Sequence, residues 1–270
     1  MSACESIKVA AIQMVSSPDV SENMAQARAL IEQAVGQGAR LVLLPEYWSI
    51  LGMRDTDKVA VAESFGSGSM QQWLAQTAGE FGIWLVGGTM PLVSPEPEKV
   101  LNTCLVHGPG GELLSRYDKI HLFGFTRGEE SYNESRTITA GSNPATFEMP
   151  LGRVGLSICY DLRFPELYRA MGTCALMVVP SAFTYTTGQA HWEILLRARA
   201  IENQCYVLAA AQGGRHRNGR RTWGHTMLVD PWGEVLSVLP EGEGFVIGEM
   251  QAGVLDKTRQ SLPALQHRRL

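Results

Sequence analysis

Residues 153–172 read RVGLSICYDLRFPELYRAMG, and residues 175–183 follow with ALMVVPSAF. "RVGLSI" is a short apolar strand, "PELYRAMG" begins a helix, and "ALMVVPSAF" is the next strand. A strand, a helix and a strand in that order are the repeating unit of α/β proteins. Cys159 sits where the first strand stops and the chain turns through Asp161 and Arg163. Two readings compete there: a small core residue at a strand end, or a nucleophile displayed by the turn.

The same alternation extends in both directions. "IKVAAIQM" reads as a strand, and over residues 19–35 Met24, Ala27, Ile31, Ala34 and Val35 recur at helical spacing until Gly36 and Gly38 end the run. "ARLVLLPE" is a buried strand, "SMQQWLAQTAGEFG" a helix with Met70, Trp73, Leu74, Thr77 and Phe81 on one face, and "IWLVGGTM" another strand. "VLNTCLVH" and "ELLSRYDK" flank the turn "GPGG" as a β-hairpin, and "PLVSPEPEK" at 91–99 reads as a loop. A long helix is expected from about Gln189 to Asn203, then "CYVLAAAQ", and a second hairpin of "TWGHTMLVD" and "EVLSVLP". Parallel crossovers mixed with hairpins define an α/β layered protein, with no linker dividing it.

Composition narrows the function. The 270 residues are 45% hydrophobic with a net charge of −4, so no general field draws nucleic acid or an anionic membrane. No segment reaches the ~20 apolar residues of a membrane helix. Five cysteines, at 4, 104, 159, 174 and 205, are odd in number and mostly inside apolar runs. That is the pattern of a reduced, cytoplasmic protein, and without C-x-x-C or H-x-x-x-H no zinc site is expected.

In open α/β sheets ligands gather outside the carboxyl ends of strands. Three such ends carry chemistry: Glu46 closes "LVLLPE", Lys119 follows "LLSRYD", and Cys159 closes "VGLSIC". A thiol is mostly protonated at neutral pH and needs a base or a cation beside it. A glutamate can take its proton and deliver it to a leaving amine. A lysine can hold the thiolate and then an oxyanion, with the Tyr160 backbone N–H as second donor. Taken singly, Cys159 remains open between core and nucleophile, and Lys119 between a solvated turn and a site.

Taken together and in order, "LLPE", "YDKIHLF" and "CYDLRFPEL" resemble the nitrilase superfamily of carbon–nitrogen hydrolases, over nearly the whole chain from "VAAIQM" to "LPALQHRR". The resemblance implies one domain, residues 1–270, folded as a four-layer α-β-β-α sandwich. It implies Cys159 as nucleophile, Glu46 as general base and acid, and Lys119 as oxyanion stabiliser. A second glutamate is implied in the loop after the lysine: "YNES" matches with Glu134, while Glu129 and Glu130 in "RGEES" compete. A homodimer is implied, with "PELYRAMG" and the stretch from about Gln251 as interface elements, and no metal or organic cofactor.

The reaction implied is hydrolysis of a small carboxylate-bearing amide to acid and ammonia through a thioester. "CYD" resembles the amidase branch. "PSAFT", "IENQCY" and "AAAQ" resemble the group acting on deaminated glutathione. An ω-amidase acting on α-ketoglutaramate, another aliphatic amidase or carbamoyl hydrolase, and a catalytically inactive binding scaffold are the alternatives. Arg163, Arg197 and Arg199 lie near the site motifs and suit carboxylates. Two readings compete for the loop "GGRHRNGRR" at 213–221: a solvated hairpin tip, or a site in which Arg215 or Arg217 reaches a distal glycine carboxylate. His121, His191 and His225 are rival partners for Cys159 in a Cys–His dyad.

Overall fold

The computed structural model describes residues 5–128 and 130–269. Two sheets built on one plan lie face to face. The first orders strands Gly244–Gln251, Ser6–Gln13, Leu41–Leu43, Trp84–Val86, Val100–His107 and Met90–Val93, with Leu113–Asp118 and Ile138–Thr139 also pairing on Val100–His107. The second orders Ala145–Met149, Gly152–Leu156, Leu176–Ser181, Tyr206–Ala211, Thr226–Val229 and Val235–Leu239. Each has three parallel strands at its heart, joined by helical crossovers, and antiparallel strands outside them.

Strand alternation decides the layers. In the first strand Val9 and Ala11 face the second sheet, packing with Val154, Leu156, Val178 and Leu208, while Ala10 and Ile12 face the opposite way. There they meet Ala27, Ile31 and Ala34 of the helix Val20–Gly36 and Leu74 and Ala78 of the helix Ser69–Phe81. The second sheet carries the helices Pro165–Ala170 and Tyr185–Asn203, whose Leu167, Trp192, Leu196 and Ala200 join its core. The order is helices, sheet, sheet, helices, the α-β-β-α sandwich expected. Both faces of each sheet are covered, which is why the strands read as near-continuous apolar runs.

Some boundaries differ from the sequence reading: "IWLVGGTM" is not one strand, since Trp84–Val86 ends before Gly87 and Met90 opens the strand Met90–Val93. Residues 91–93 are strand rather than loop: Pro91 pairs opposite Asn102 on a strand at the end of the sheet path, where a missing N–H is tolerated. The long helix begins at Tyr185, four residues early, because the Thr184 hydroxyl accepts the Thr187 N–H at 3.3 Å and caps it. Among the described residues no helix is long and apolar enough to cross a membrane.

Candidate active site

Glu46 leaves the first sheet just after Leu41–Leu43, on a segment held from both sides. The Tyr47 N–H donates to Thr89 Oγ1 at 2.8 Å, and the Gln212 amide donates to the Glu46 carbonyl at 3.0 Å. Gly88 is needed beside it: φ is +51° and a Cβ there would stand 2.1 Å from the Pro45 carbonyl oxygen. Lys119 follows Leu113–Asp118 directly, and its backbone N–H bonds the Asn102 carbonyl at 3.0 Å. Glu134 opens the 3₁₀ turn Glu134–Arg136.

Cys159 begins the 3₁₀ turn Cys159–Arg163 with φ at +49°, a left-handed conformation uncommon for a side chain larger than glycine's. Asp161 fixes that turn. Its carboxylate accepts the Ile158 N–H at 2.8 Å, the Tyr117 hydroxyl at 2.7 Å and the His121 N–H at 3.0 Å, and Tyr117 and His121 come from the first half of the chain. Arg199 donates to the Leu162 carbonyl at 3.1 Å from behind.

The four side chains converge. The Lys119 ammonium, 0% exposed, donates to Glu46 Oε1 at 2.8 Å and to both oxygens of Glu134 at 2.8 and 3.0 Å. Asn102 Nδ2 donates to Glu46 Oε1 at 3.0 Å. Glu134 accepts the Tyr47 hydroxyl at 2.7 Å and the Phe123 N–H at 2.7 Å. The Cys159 thiol lies within electrostatic reach of both Glu46 and the Lys119 charge.

Two buried carboxylates sharing one ammonium do not behave alike. Burial holds Glu46 above the usual carboxylate range, only partly offset by Lys119. Glu134 is buried too, but Lys119, the Phe123 N–H and the Tyr47 hydroxyl outweigh the desolvation and hold it below that range. Burial alone would push Lys119 down, yet Glu134 and Glu46 together hold it above its ordinary value. Burial and the neighbouring Glu46 push the Cys159 thiol well up, against the pull of Lys119. The resting site is therefore a thiol beside a basic carboxylate, a fixed carboxylate and a firmly charged lysine. Of the other described cysteines, Cys174 is pushed up to about 11 by burial, and Cys104 and Cys205 are likewise raised, with no ammonium–carboxylate pair beside them.

Two clefts flank this group. One is lined by Cys159, Tyr160, Arg163, Phe123, Phe183 and Thr187. The other lies against Tyr47 and is lined by Lys58 and Arg220. Arg163 lines the first cleft together with Cys159. Arg197 and Arg199 do not: Arg197 bonds the Gly233 carbonyl, and Arg199 is buried on Leu162 and Glu202. Arg215 is exposed and Arg217 pairs with Glu22 on the surface, so the arginine of this loop that lines a cleft is Arg220. Glu130 bonds Thr186 and Tyr132 rather than Lys119, and Glu129 lies outside the described residues. His121 is taken by Asp161, His191 lies against Arg163 and His225 stacks on Trp223, so none of the three pairs with Cys159.

The sequence reading missed the residues that hold these groups: Asn102, Tyr47, Tyr117 and Asp161. Asn102 carried a signal, being an amide inside the apolar strand "VLNTCLVH", where a buried polar group needs a partner.

A family model described as carbon-nitrogen hydrolase matches residues 8–260. A Synechocystis protein named deaminated glutathione amidase is 43% identical over 265 residues, covering 96% of this chain and 97% of its own. The human protein named omega-amidase NIT2 is 40% identical over 268 residues, covering 98% and 95%. The crystal structure of Saccharomyces cerevisiae Nit3, a member of branch 10 of the nitrilase superfamily, superposes with a TM-score of 0.87 at 33% identity, covering 99% of this chain and 98% of that one. A glutamate-to-glutamine mutant of the amidase from Nesterenkonia sp. AN1, showing covalent addition of the acetamide moiety of fluoroacetamide at its active site cysteine, superposes at 0.81 with 27% identity, covering 97% and 94%. The chain belongs to the carbon–nitrogen hydrolase family of the nitrilase superfamily. It is a hydrolase of the carbon–nitrogen bond of amides.

Proposed function

We propose that the chain is a cysteine-dependent amidase whose nucleophile is Cys159, and that its substrate is deaminated glutathione. The observation that carries the mechanism is the unequal pair of carboxylates on Lys119: Glu46 held basic, Glu134 held ionised. Glu46 takes the Cys159 proton as Sγ bonds the amide carbonyl carbon. Lys119 and the Tyr160 N–H receive the oxyanion. The carbon–nitrogen bond then breaks, and Glu46 returns the proton to the leaving nitrogen. Glu46 next takes a proton from water, whose oxygen bonds the thioester carbon; the carbon–sulfur bond breaks to release the acid, and Glu46 returns the proton to Cys159 Sγ. Glu134 keeps Lys119 in place throughout. The leaving amine is ammonia for a primary amide, but for deaminated glutathione it is cysteinylglycine.

Support for the carboxylate-bearing acyl group is Arg163 beside Cys159 in one cleft. The relative named deaminated glutathione amidase supports this substrate, and the one named omega-amidase, nearly as similar, supports α-ketoglutaramate as the second reading. The test is kcat/KM on both amides with intact-mass detection of the acyl adduct. A preference for the cysteinylglycine amide and an adduct lost in Cys159→Ala are expected. A preference for α-ketoglutaramate moves the chain to the ω-amidase reading, and an adduct persisting in Cys159→Ala overturns the nucleophile.

The same reading takes residues 1–270 as one domain of a cytoplasmic homodimer. Free thiols at Cys104, Cys159, Cys174 and Cys205 suit a reducing compartment. Ile194 and Ile201, seven residues apart on one helix, are exposed on a common face suited to a partner copy. Light scattering should return twice the chain's 29.5 kDa.

A further inference from the structure

The cleft beside Tyr47 has no part in the chemistry at Cys159, yet it shares a wall with it. The Tyr47 hydroxyl bonds Glu134, and Lys58 Nζ donates to Thr137 Oγ1 at 3.1 Å, at the end of the turn that Glu134 opens. The cleft is lined by Tyr47, Arg54, Asp55, Lys58 and Arg220 among others.

Its charges are unbalanced. Arg54 bonds Asp57 at 3.3 Å, so its charge is met. Lys58 and Arg220 are half-buried, and among the described residues neither forms an ion pair. Lys58 has the Thr137 hydroxyl and the face of Tyr47 at 5.6 Å, and Arg220 the face of Tyr132 at 5.0 Å. Asp55 is the one acidic residue of the lining named, and it is exposed. Burial accordingly draws Lys58 below its ordinary value, with Asp55 and Glu134 opposing. Two cations withdrawn from water into one cleft are poorly satisfied until an anion joins them.

Arg220 is also firmly mounted. His216 in the same hairpin is buried, with Nδ1 bonded to the Ser16 carbonyl at 3.0 Å and Nε2 to Thr222 Oγ1 at 2.9 Å. Asn218 donates to the Gly52 carbonyl at 2.7 Å and accepts the Arg220 N–H at 3.0 Å. A loop spanning the basic run 213–221 is thereby fastened against the segment that carries Glu46, and it is not a free solvated tip.

We propose that this cleft is the subsite for the leaving group, and that Lys58 and Arg220 together bind a carboxylate at that group's far end. The inference rests on the amidase reading and adds its leaving-group specificity. The acyl side of the substrate occupies the cleft of Cys159 and Arg163, and the amine side extends past Glu46 and Tyr47 toward Lys58 and Arg220. A dipeptide leaving group spans roughly 7 Å when extended, enough to carry a terminal carboxylate one side-chain layer away from the reacting carbon. Ammonia, by contrast, has nothing to place there.

The experiment uses three substrates with one α-ketoglutaryl acyl group: the primary amide, the cysteinylglycine amide, and the same amide with its glycine carboxylate capped as a carboxamide. Wild-type protein is expected to favour the free carboxylate over the capped form by roughly tenfold or more, mainly in KM, since charge-assisted hydrogen bonds are at stake. Lys58→Gln and Arg220→Gln each remove most of that preference and lose far less on the primary amide, which also certifies their folding. Equal rates on the free and capped forms, or a preference surviving in both variants, overturn the inference while leaving the amidase standing. Wild-type protein that cleaves none of the three overturns the substrate reading itself and takes the inference with it.

Discussion

The two sheets share an architecture and differ in what they bring to the site. The first delivers charge: Glu46 and Lys119 leave its strands, and Glu134 returns from the excursion that follows. These groups are desolvated together and satisfy one another, with Asn102, Tyr47 and the Phe123 N–H filling the remaining positions. The second sheet delivers an uncharged thiol on a left-handed turn, and the strain of that turn is borne by Asp161, Tyr117 and Arg199. The proposed acid–base machinery is thus assembled within one half of the chain, and the proposed nucleophile is presented to it when the sheets pack. The cost of burial is asymmetric too. Losing a charge on the first side strands its partner, while losing the thiol strands nothing.

That asymmetry is open to attack. Cys159→Ala should lower kcat by at least about 10³-fold while leaving the unfolding midpoint nearly unchanged, because the ion pairs remain. A large loss of stability in this variant would break the comparison. Lys119→Met should abolish activity and also cost about 3–5 kcal/mol of stability in a denaturant titration, because Glu46 and Glu134 are left buried without their cation.

Glu46→Gln should lower kcat by about 10²–10⁴-fold, the usual worth of a general base. In the mechanism proposed, Glu46 must be ionised to accept the thiol proton. Since burial holds it above the ordinary range, activity should fall as pH drops through that raised value, at a pH above about 4.3. Asn102→Leu removes a donor to the ionised form and should move this acid limb of kcat/KM further up. A limb that stays in place would mean that Asn102 does not tune Glu46.

Asp161→Asn should cost roughly tenfold in kcat with KM little changed, as the turn under Cys159 loses its carboxylate. The smallest effect is expected for Tyr47→Phe, about threefold, because Lys119 and the Phe123 N–H still hold Glu134.

The parts of the fold legible in the sequence were those written in periodicity. Strand runs such as "IKVAAIQM" and the helix Val20–Gly36 emerged from apolar spacing, since each element must bury its own face. Boundaries set by single hydrogen bonds did not: the Thr184 cap lengthened a helix, and Pro91 took a place on a strand at the end of the sheet path. At the site, Glu46, Lys119 and Cys159 stood out as reactive residue types at strand ends, and three ordered motifs joined them. The "YNES" match favoured Glu134 and left Glu130 competing; in the structure it is Glu134 that meets Lys119, while Glu130 bonds Thr186.

The sequence by itself determined the layered α/β order, the three strand-end residues and the basic run at 213–221, because these depend on local spacing and residue chemistry. Only the tertiary structure decided that residues 73 apart in the chain share a proton-bearing contact 2.8 Å long, that Glu46 and Glu134 are held to opposite sides of the ordinary carboxylate range, and that Arg220 rather than Arg215 or Arg217 lines a cleft. Those outcomes depend on burial and on partners brought from distant strands, and neither quantity exists until the two sheets close on each other.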